Sequence, residues 1–195
     1  MKKELLKMKY RVLMPSENAS KIEFILWRFK ELGITSQDLA QIAYNKQREF
    51  IDTLTFEDVK VALKKVLSKR EIQHALVTGI SLDVLAENDL LPNPLEKIVK
   101  EDRGTYGVDE LIMDSSTLYG TIALTNALGL DTHKSGIIKK VDELGKTSEY
   151  TTTFLDDLLC MLVGCTEGYL AHKYEIGHDT SNENSITDEK LINNF

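Results

Sequence analysis

Two adjacent aspartates, Asp156 and Asp157, directly precede one of the most apolar stretches of this 195-residue chain. Residues 158–164 are uncharged and nearly all apolar, which is typical of a helix buried on every side. Ionised carboxylates in such an interior are costly unless a cation pairs with them. A shared divalent cation would offset this cost, because Mg²⁺ prefers oxygen ligands. The alternative is that both aspartates cap the free amides of their own helix.

A second acidic pair, Asp109 and Glu110, also stands at the start of a segment that soon becomes apolar. The pattern over residues 106–128 predicts one long, largely uncharged helix with Asp109 facing the interior. Carboxylates from facing helices are how helical bundles build metal sites. We therefore expect the two acidic pairs to converge on one or two Mg²⁺ ions, or on another divalent cation.

Asp131 and Lys134 lie between these two apolar segments. A lysine ammonium binds phosphate as a point charge. Carboxylates, a divalent ion and a lysine together indicate phosphoryl transfer to water. One carboxylate as general base and an aspartyl-phosphate intermediate both stay open. The alternative for this loop is that Asp131 caps the following helix and that Lys134 is solvated.

Asp83 lies inside another apolar helical pattern. It is either a further member of the metal site or a buried aspartate satisfied by a hydroxyl or backbone partner.

Cys160 and Cys165 are expected to be reduced core residues, because an apolar setting raises a thiol pKa and their spacing fits neither zinc nor a disulfide framework. No two histidines have the four-residue spacing of a helical metal-binding pair. The absence of a Gly-x-Ser-x-Gly motif and of a phosphate-binding glycine loop disfavours the serine hydrolases and the nucleoside triphosphatases.

The elements that must position these residues are predicted to be helices throughout. Apolar spacing and capping residues predict an all-α, multi-helix bundle in which central apolar helices are surrounded by amphipathic ones. No segment shows a convincing strand pattern. The predicted helices begin at Ser16, Thr35, Thr55, Ser68, Asn93–Pro94, Tyr106, Lys134 and Phe154, and end near Leu32, Phe50, Ser68, Leu85, Val99, Leu128, Leu144 and Tyr174.

Composition predicts one helical domain over residues 16–176 with a different segment at each end. The net charge of −7 disfavours nucleic acid as a partner, since phosphate contacts need a basic face. Without an apolar segment of about 20 residues or a signal peptide, we expect a cytoplasmic protein. The basic segment 1–15 is either solvated or touches the inner membrane face as a peripheral contact. The polar segment 177–195 is predicted to be a disordered tail.

Five segments carry a family resemblance: 66–71, 78–87, 106–110, 131–134 and 154–157. In them the chain resembles the phosphatidylglycerophosphatase A family, in particular the soluble Gram-positive branch called low temperature requirement C protein-like. The family pattern has an Asp-Glu pair, then an aspartate three residues before a lysine, then an Asp-Asp pair. The resemblance implies an all-helical phosphatidylglycerophosphatase A-like domain. It also implies a Mg²⁺-dependent phosphatase of phospholipid metabolism that converts phosphatidylglycerophosphate to phosphatidylglycerol.

The resulting expectation is a metal-dependent phosphomonoester hydrolase that acts on a phosphorylated small molecule or a lipid head group. Lys134 is expected to contact the substrate phosphate, and a homo-oligomer stays open. The alternative is a non-catalytic helical binding or scaffold protein, in which the same acids only cap helices. The expected catalytic metal ligands are Asp109, Glu110, Asp131, Asp156 and Asp157.

Overall fold

A computed structural model describes residues 19–147 and 149–176 of the chain. These residues form α-helices and one 3₁₀ helix, and no strand occurs among them, so the predicted all-α bundle is confirmed. The segments 1–15 and 177–195 lie outside the described residues, and the single-domain assignment stays a prediction. The α-helices are α1 (Lys21–Glu31), α2 (Ser36–Gln47), α3 (Phe56–Leu67), α4 (Arg70–Glu87), α5 (Leu95–Glu101), α6 (Val108–Met113), α7 (Gly120–Thr132), α8 (Gly136–Gly145) and α9 (Leu155–Ile176).

Helix α9 forms the centre of the bundle, as its apolar sequence predicts. Every residue from 151 to 168 is buried. Helix α9 packs tightly against α7, where a Cβ added to Gly164 would lie 2.6 Å from the carbonyl oxygen of Ala123. Although α9 is 22 residues long, neither it nor any other helix of the described ranges combines the length and apolarity needed to cross a bilayer.

The start signals of the first helices are largely confirmed. The hydroxyls of Thr35 and Thr55 accept the amide three residues on, at 3.2 and 3.1 Å. The predicted cap of the first helix, Ser16, lies outside the described residues, and the residue that caps α1 is Ser20. Ser20 forms a reciprocal capping box with Glu23, which is the Ser-x-x-Glu pattern that stabilises a helix start.

Several predicted helix boundaries are wrong for local reasons. Helix α2 ends at Gln47, so Phe50 lies beyond it and is 75% exposed. Ser68 does not open α4, because its hydroxyl donates to the carbonyl of Lys65 at 2.8 Å and so serves the end of α3. Helix α5 starts at Leu95, after Pro94 instead of Asn93, and α8 starts at Gly136, two residues after Lys134.

The single long helix predicted over residues 106–128 is also wrong. The chain forms α6, then a 3₁₀ helix over Asp114–Tyr119, then α7. Gly120, with φ of 86° and ψ of 179°, interrupts the helical path. A 3₁₀ helix has three residues per turn, so the interior face shifts along this segment. Asp109, Met113 and Ser116 are nevertheless all buried, and Asp109 faces the interior as predicted.

Candidate metal centre

The start of α9 is held by a carboxylate from another helix. Asp83 of α4 is 0% exposed, and its two oxygens accept the amides of Phe154 at 3.1 Å and Leu155 at 2.9 Å. The amide of Asp156 is bonded to the carbonyl of Thr152 at 3.2 Å. Asp83 is therefore a buried aspartate with backbone partners, which is one of the two roles expected for it. Because these amides have other acceptors, the carboxylates of Asp156 and Asp157 are not needed as caps.

Three threonines before α9 tie its start to the surrounding helices. The hydroxyl of Thr152 donates to a carbonyl of α8 at 3.1 Å, and that of Thr153 donates to a carbonyl of α5 at 2.6 Å. The amide of Thr151 donates to Glu87 of α4 at 3.1 Å. The position of the aspartate pair is therefore fixed by contacts with several helices.

Carboxylates from α6 and α9 meet within the bundle. Asp109, Glu110 and Asp157 each offer an oxygen, and these three oxygens lie within 4.8 Å of one another. Asp109 and Asp157 are buried. The Oε2 atom of Glu110 is also buried, and it has no hydrogen-bond partner among the described residues. Three carboxylate oxygens at this spacing, on residues that include an unsatisfied buried oxygen of Glu110, fit a small divalent cation with hard oxygen ligands.

Burial and mutual repulsion raise the pKa values of the acids in this group. Burial raises the pKa of Asp157 to about 9, and the negative charges of Asp156 and Asp131 add to the effect. Burial also raises the pKa of Asp109 to about 7, with a contribution from neighbouring Glu110. Ionising all these groups together is therefore unfavourable. A bound divalent cation would reverse this, because it stabilises the charged form of each ligand.

Lys134 is the cation that the chain itself supplies to this region. Its Nζ atom lies 2.5 Å from Oδ2 of Asp156 and 3.0 Å from Oδ1 of Asp131. A carboxylate oxygen of Asp157 is 3.7 Å away. Burial alone would lower the lysine pKa, but Asp156 and Asp131 outweigh it and raise the pKa above its ordinary value. Burial raises the pKa of Asp156 to about 6 although Lys134 opposes this shift.

The predicted residues thus fall into two adjoining groups. Asp109, Glu110 and Asp157 form the group that fits a cation, which we call the acidic triad. Asp131 and Asp156 contact Lys134. The assignment of all five acids as metal ligands stays a prediction.

Two further acids near Lys134 were not singled out from the sequence. Asp142 of α8 lies 3.7 Å from Nζ of Lys134 and 2.6 Å from Nζ of Lys146. Asp102 follows α5 with φ of 43°. Burial raises its pKa, Lys134 opposes this shift, and Asp142 adds to it. Asp142 stands on a helix with an ordinary amphipathic pattern and Asp102 in a polar loop. No local signal distinguishes either residue from a solvated acid.

The two cysteines have the predicted environment. Cys160 and Cys165 are free thiols buried in α9. Burial raises the pKa of both, that of Cys165 to about 12. Since the thiolate is the reactive form, both residues are unsuited to act as nucleophiles.

Comparison with known proteins finds relatives that are similar to this chain in sequence. No family model matches the chain. It is 39% identical to the uncharacterized protein YpjQ of Bacillus subtilis over 161 residues, which are 82% of this chain and 88% of that protein. It is 37% identical to the uncharacterized protein YutG of the same organism over 147 residues, 75% of this chain and 87% of that protein.

A solved structure shows the same fold. The crystal structure of low temperature requirement C protein from Listeria monocytogenes is similar with a TM-score of 0.74 and 33% identity. The match covers 81% of this chain and 99% of the Listeria protein. The likeness therefore extends over nearly the whole of that relative.

Proposed function

This chain belongs to the family of YpjQ, YutG and low temperature requirement C protein, and we propose that it is a divalent-metal-dependent phosphatase. Its substrate is a phosphomonoester, with phosphatidylglycerophosphate as the leading candidate and phosphatidylglycerol as the product. The observation that carries the proposal is the acidic triad, in which an oxygen of Glu110 is buried without a hydrogen-bond partner in the described part of the chain.

Each residue has a distinct role in the proposed reaction. Asp109, Glu110 and Asp157 hold Mg²⁺ or another divalent cation. When bound, this cation neutralises charge on the phosphate oxygens and lowers the pKa of water. Asp131 and Asp156 orient Lys134. Because its pKa is raised, Lys134 stays protonated and acts as a fixed positive charge towards a phosphate oxygen, not as a base.

The overall reaction is hydrolysis of one ester bond. A water oxygen forms the new bond to phosphorus, the phosphorus–oxygen bond to the alcohol breaks, and the alcohol leaves with a proton. Inorganic phosphate is the other product. The burial of Asp157 and Asp109 favours this chemistry, because electrostatic interactions with developing charge are stronger where water is excluded.

Apolar side chains next to the acidic triad support a lipid substrate. Val108 and Leu111 flank Asp109 and Glu110 in the sequence, and they are 39% and 67% exposed. Exposed apolar residues beside a polar site suit a substrate with a phosphate head group and an apolar body. The proposed substrate has this form, and the family resemblance of the acidic pairs points to the same molecule.

The direct test is phosphate release by the purified full-length chain. Phosphatidylglycerophosphate in mixed micelles and glycerol 3-phosphate are each incubated with Mg²⁺ or with EDTA. The variant Asp157→Asn removes a carboxylate of the acidic triad. Asp114→Asn is the control, because Asp114 directly follows α6, which carries Asp109 and Glu110, but is not part of the triad.

The proposal expects release of phosphate that needs Mg²⁺, stops with EDTA and is lost in Asp157→Asn but kept in Asp114→Asn. Release without metal would contradict the proposed metal dependence, and no release from either substrate would favour the non-catalytic scaffold. The variant Leu111→Ser separates the substrates. It is expected to slow hydrolysis of the lipid while leaving that of glycerol 3-phosphate unchanged.

A further inference from the structure

We propose that Asp83 is a positioning residue of the metal centre, which sets the first turn of α9 so that Asp157 joins the acidic triad. The proposal rests on the function proposed above. Asp83 would not touch the substrate or the cation. It would act through the backbone of the helix that carries Asp156 and Asp157.

The contacts of Asp83 offset part of the cost of its burial, which raises the pKa of this acid well above its ordinary value. Its side chain is 0% exposed on α4, where an ionised carboxylate is costly without compensation. Both oxygens are used, one by the amide of Phe154 and one by the amide of Leu155. A carboxylate that accepts backbone amides at a helix start is also favoured by the helix dipole. Asp83 therefore acts as the cap at the start of α9.

The local sequence offers no replacement for Asp83. Residues 151–153, which precede Phe154 and α9, are threonines, a residue type that can cap a helix. The hydroxyls of Thr152 and Thr153 donate instead to carbonyls of α8 and α5. Without Asp83, two amides in a buried region would lose their acceptor, which is costly in a dry interior. The first turn of α9 would relax, and this turn contains Asp156 and Asp157.

A second set of contacts holds Thr151, in the segment that leads into this turn. Arg28 of α1 is buried, and its Nη2 atom lies 2.7 Å from Oε2 of Glu87 and 3.2 Å from the carbonyl oxygen of Thr151. Glu87 accepts the amide of Thr151 as well. Glu87 and Asp83 are one helical turn apart on α4, so α4 contacts the entry to α9 at two successive levels. Of the two, Asp83 is the one that contacts amides of residues 154 and 155.

The test compares Asp83→Asn with a matched change elsewhere on α4. Gln73→Leu is the control, because Gln73 is also buried on α4 and donates to the carbonyl of Leu67 of α3 at 3.2 Å. Amide hydrogen exchange is followed over residues 154–158. Affinity for Mn²⁺ is measured by calorimetry on the full-length chain. If Asp83→Asn does not fold, Asp83→Ser keeps one acceptor oxygen and serves instead.

We expect Asp83→Asn to speed exchange at residues 154–158 and to weaken Mn²⁺ binding by about 10–100-fold, the usual cost of losing a group that orients a ligand. Gln73→Leu should lower stability while changing neither measurement. Faster exchange with unchanged Mn²⁺ affinity would overturn the positioning role, and so would unchanged exchange. A wild-type protein that binds no Mn²⁺ would contradict the proposed function, while exchange would still decide whether Asp83 fixes this turn.

Discussion

Helix α9 carries buried acids in two regions, and only one of them has the features of a chemical site. At its start, Asp156 and Asp157 meet Lys134 and two acids of α6. Ten residues after Asp157, Glu167 is 0% exposed and has Nζ of Lys46 at 3.6 Å as its nearby charge. Burial is thus common to both regions. The difference is convergence of several ligand atoms, which burial of a single acid does not provide.

The two regions also differ in how their charge is balanced. Burial raises the pKa of Glu167 to about 7, and attraction by Lys46 opposes this shift. The polar side chains of Lys46, Asn126 and Gln47 also oppose this shift by favouring the charged form of Glu167, but burial outweighs them. Near neutral pH, Glu167 can therefore relieve its burial by taking up one proton. The acids at the start of α9 are too numerous for one proton or one lysine to balance, so a divalent cation is the fitting partner.

The largest expected effect separates the two regions by activity. Asp157→Asn should lower Mg²⁺-dependent phosphate release by at least about 100-fold, because a charge that stabilises the transition state is lost with the metal. Glu167→Gln should keep the wild-type rate. Both rates are measured at saturating substrate and Mg²⁺. Equal loss of activity in the two variants would show that buried acids of α9 act only through stability.

Substitution of Lys134 tests whether its positive charge interacts with the substrate phosphate or only with the neighbouring carboxylates. Lys134→Gln should reduce the rate of phosphate release by about 10²-fold, as for loss of one electrostatic contact to phosphate. Metal affinity should not weaken, since a competing positive charge is removed from beside Asp157. Calorimetry with Mn²⁺ gives the affinity. Lys139→Gln on the exposed side of α8 is the control, and weaker Mn²⁺ binding in Lys134→Gln alone would contradict this role.

Glu167 makes a pH-dependent prediction of its own. Its pKa is about 7 in the folded chain against an ordinary 4.5, so the folded state binds the proton more tightly than the unfolded state does. The contribution of Glu167 to stability is complete below pH 4.5 and is lost as the pH rises to about 7. The difference in free energy of unfolding between Glu167→Gln and wild type should therefore shift in favour of the variant by on the order of 3 kcal/mol between pH 4 and pH 8.

Urea unfolding of wild type and Glu167→Gln at several pH values measures this difference. The acids near Lys134 titrate in both proteins, so their contributions cancel in the comparison. A difference that does not change between pH 4 and pH 8 would mean that Glu167 has an ordinary pKa.

The smallest expected effect concerns the packing between the two regions. A Cβ on Gly164 would lie 2.6 Å from the carbonyl oxygen of Ala123 and 2.9 Å from the amide of Ala127. Gly164→Ala should cost about 1–3 kcal/mol of stability because α9 and α7 must separate. Gly129→Ala on α7 is the control, since no atom lies within 4 Å of its added Cβ. The Mg²⁺ dependence of phosphate release by the folded variant should be unchanged. Similar stabilities of both variants would contradict the close packing.

Local sequence patterns predict the helices better than the boundaries between successive helices. The uncharged residues after Asp157 predicted a buried helix, and Thr35 and Thr55 predicted helix starts, because these signals depend on neighbours in sequence. The break at Gly120 was missed because the apolar pattern is compatible with a continuous helix. Ser68 stands between two helices, and its hydroxyl donates to a carbonyl near the end of α3 and does not cap α4. The sequence alone does not show which helix the hydroxyl contacts.

The candidate site could be predicted only in part for the same reason. The pairing of acids with apolar segments indicated that Asp109 and Asp157 face the interior. The attachment of Asp83 to the amides of α9 depends on how α4 packs against it, and no sequence spacing encodes a contact 71 residues apart. Asp142 likewise reaches Lys134 only because α8 folds back beside it.

The most direct test of the central claim is the position of a bound cation. Crystals of the full-length chain soaked with Mn²⁺, a close substitute for Mg²⁺, would locate it by anomalous scattering. We expect one peak about 2.2 Å from oxygens of Asp109, Glu110 and Asp157, and no such peak at Glu167. No peak at the acidic triad at saturating Mn²⁺, or a peak only at acids elsewhere on the surface, would contradict the metal centre.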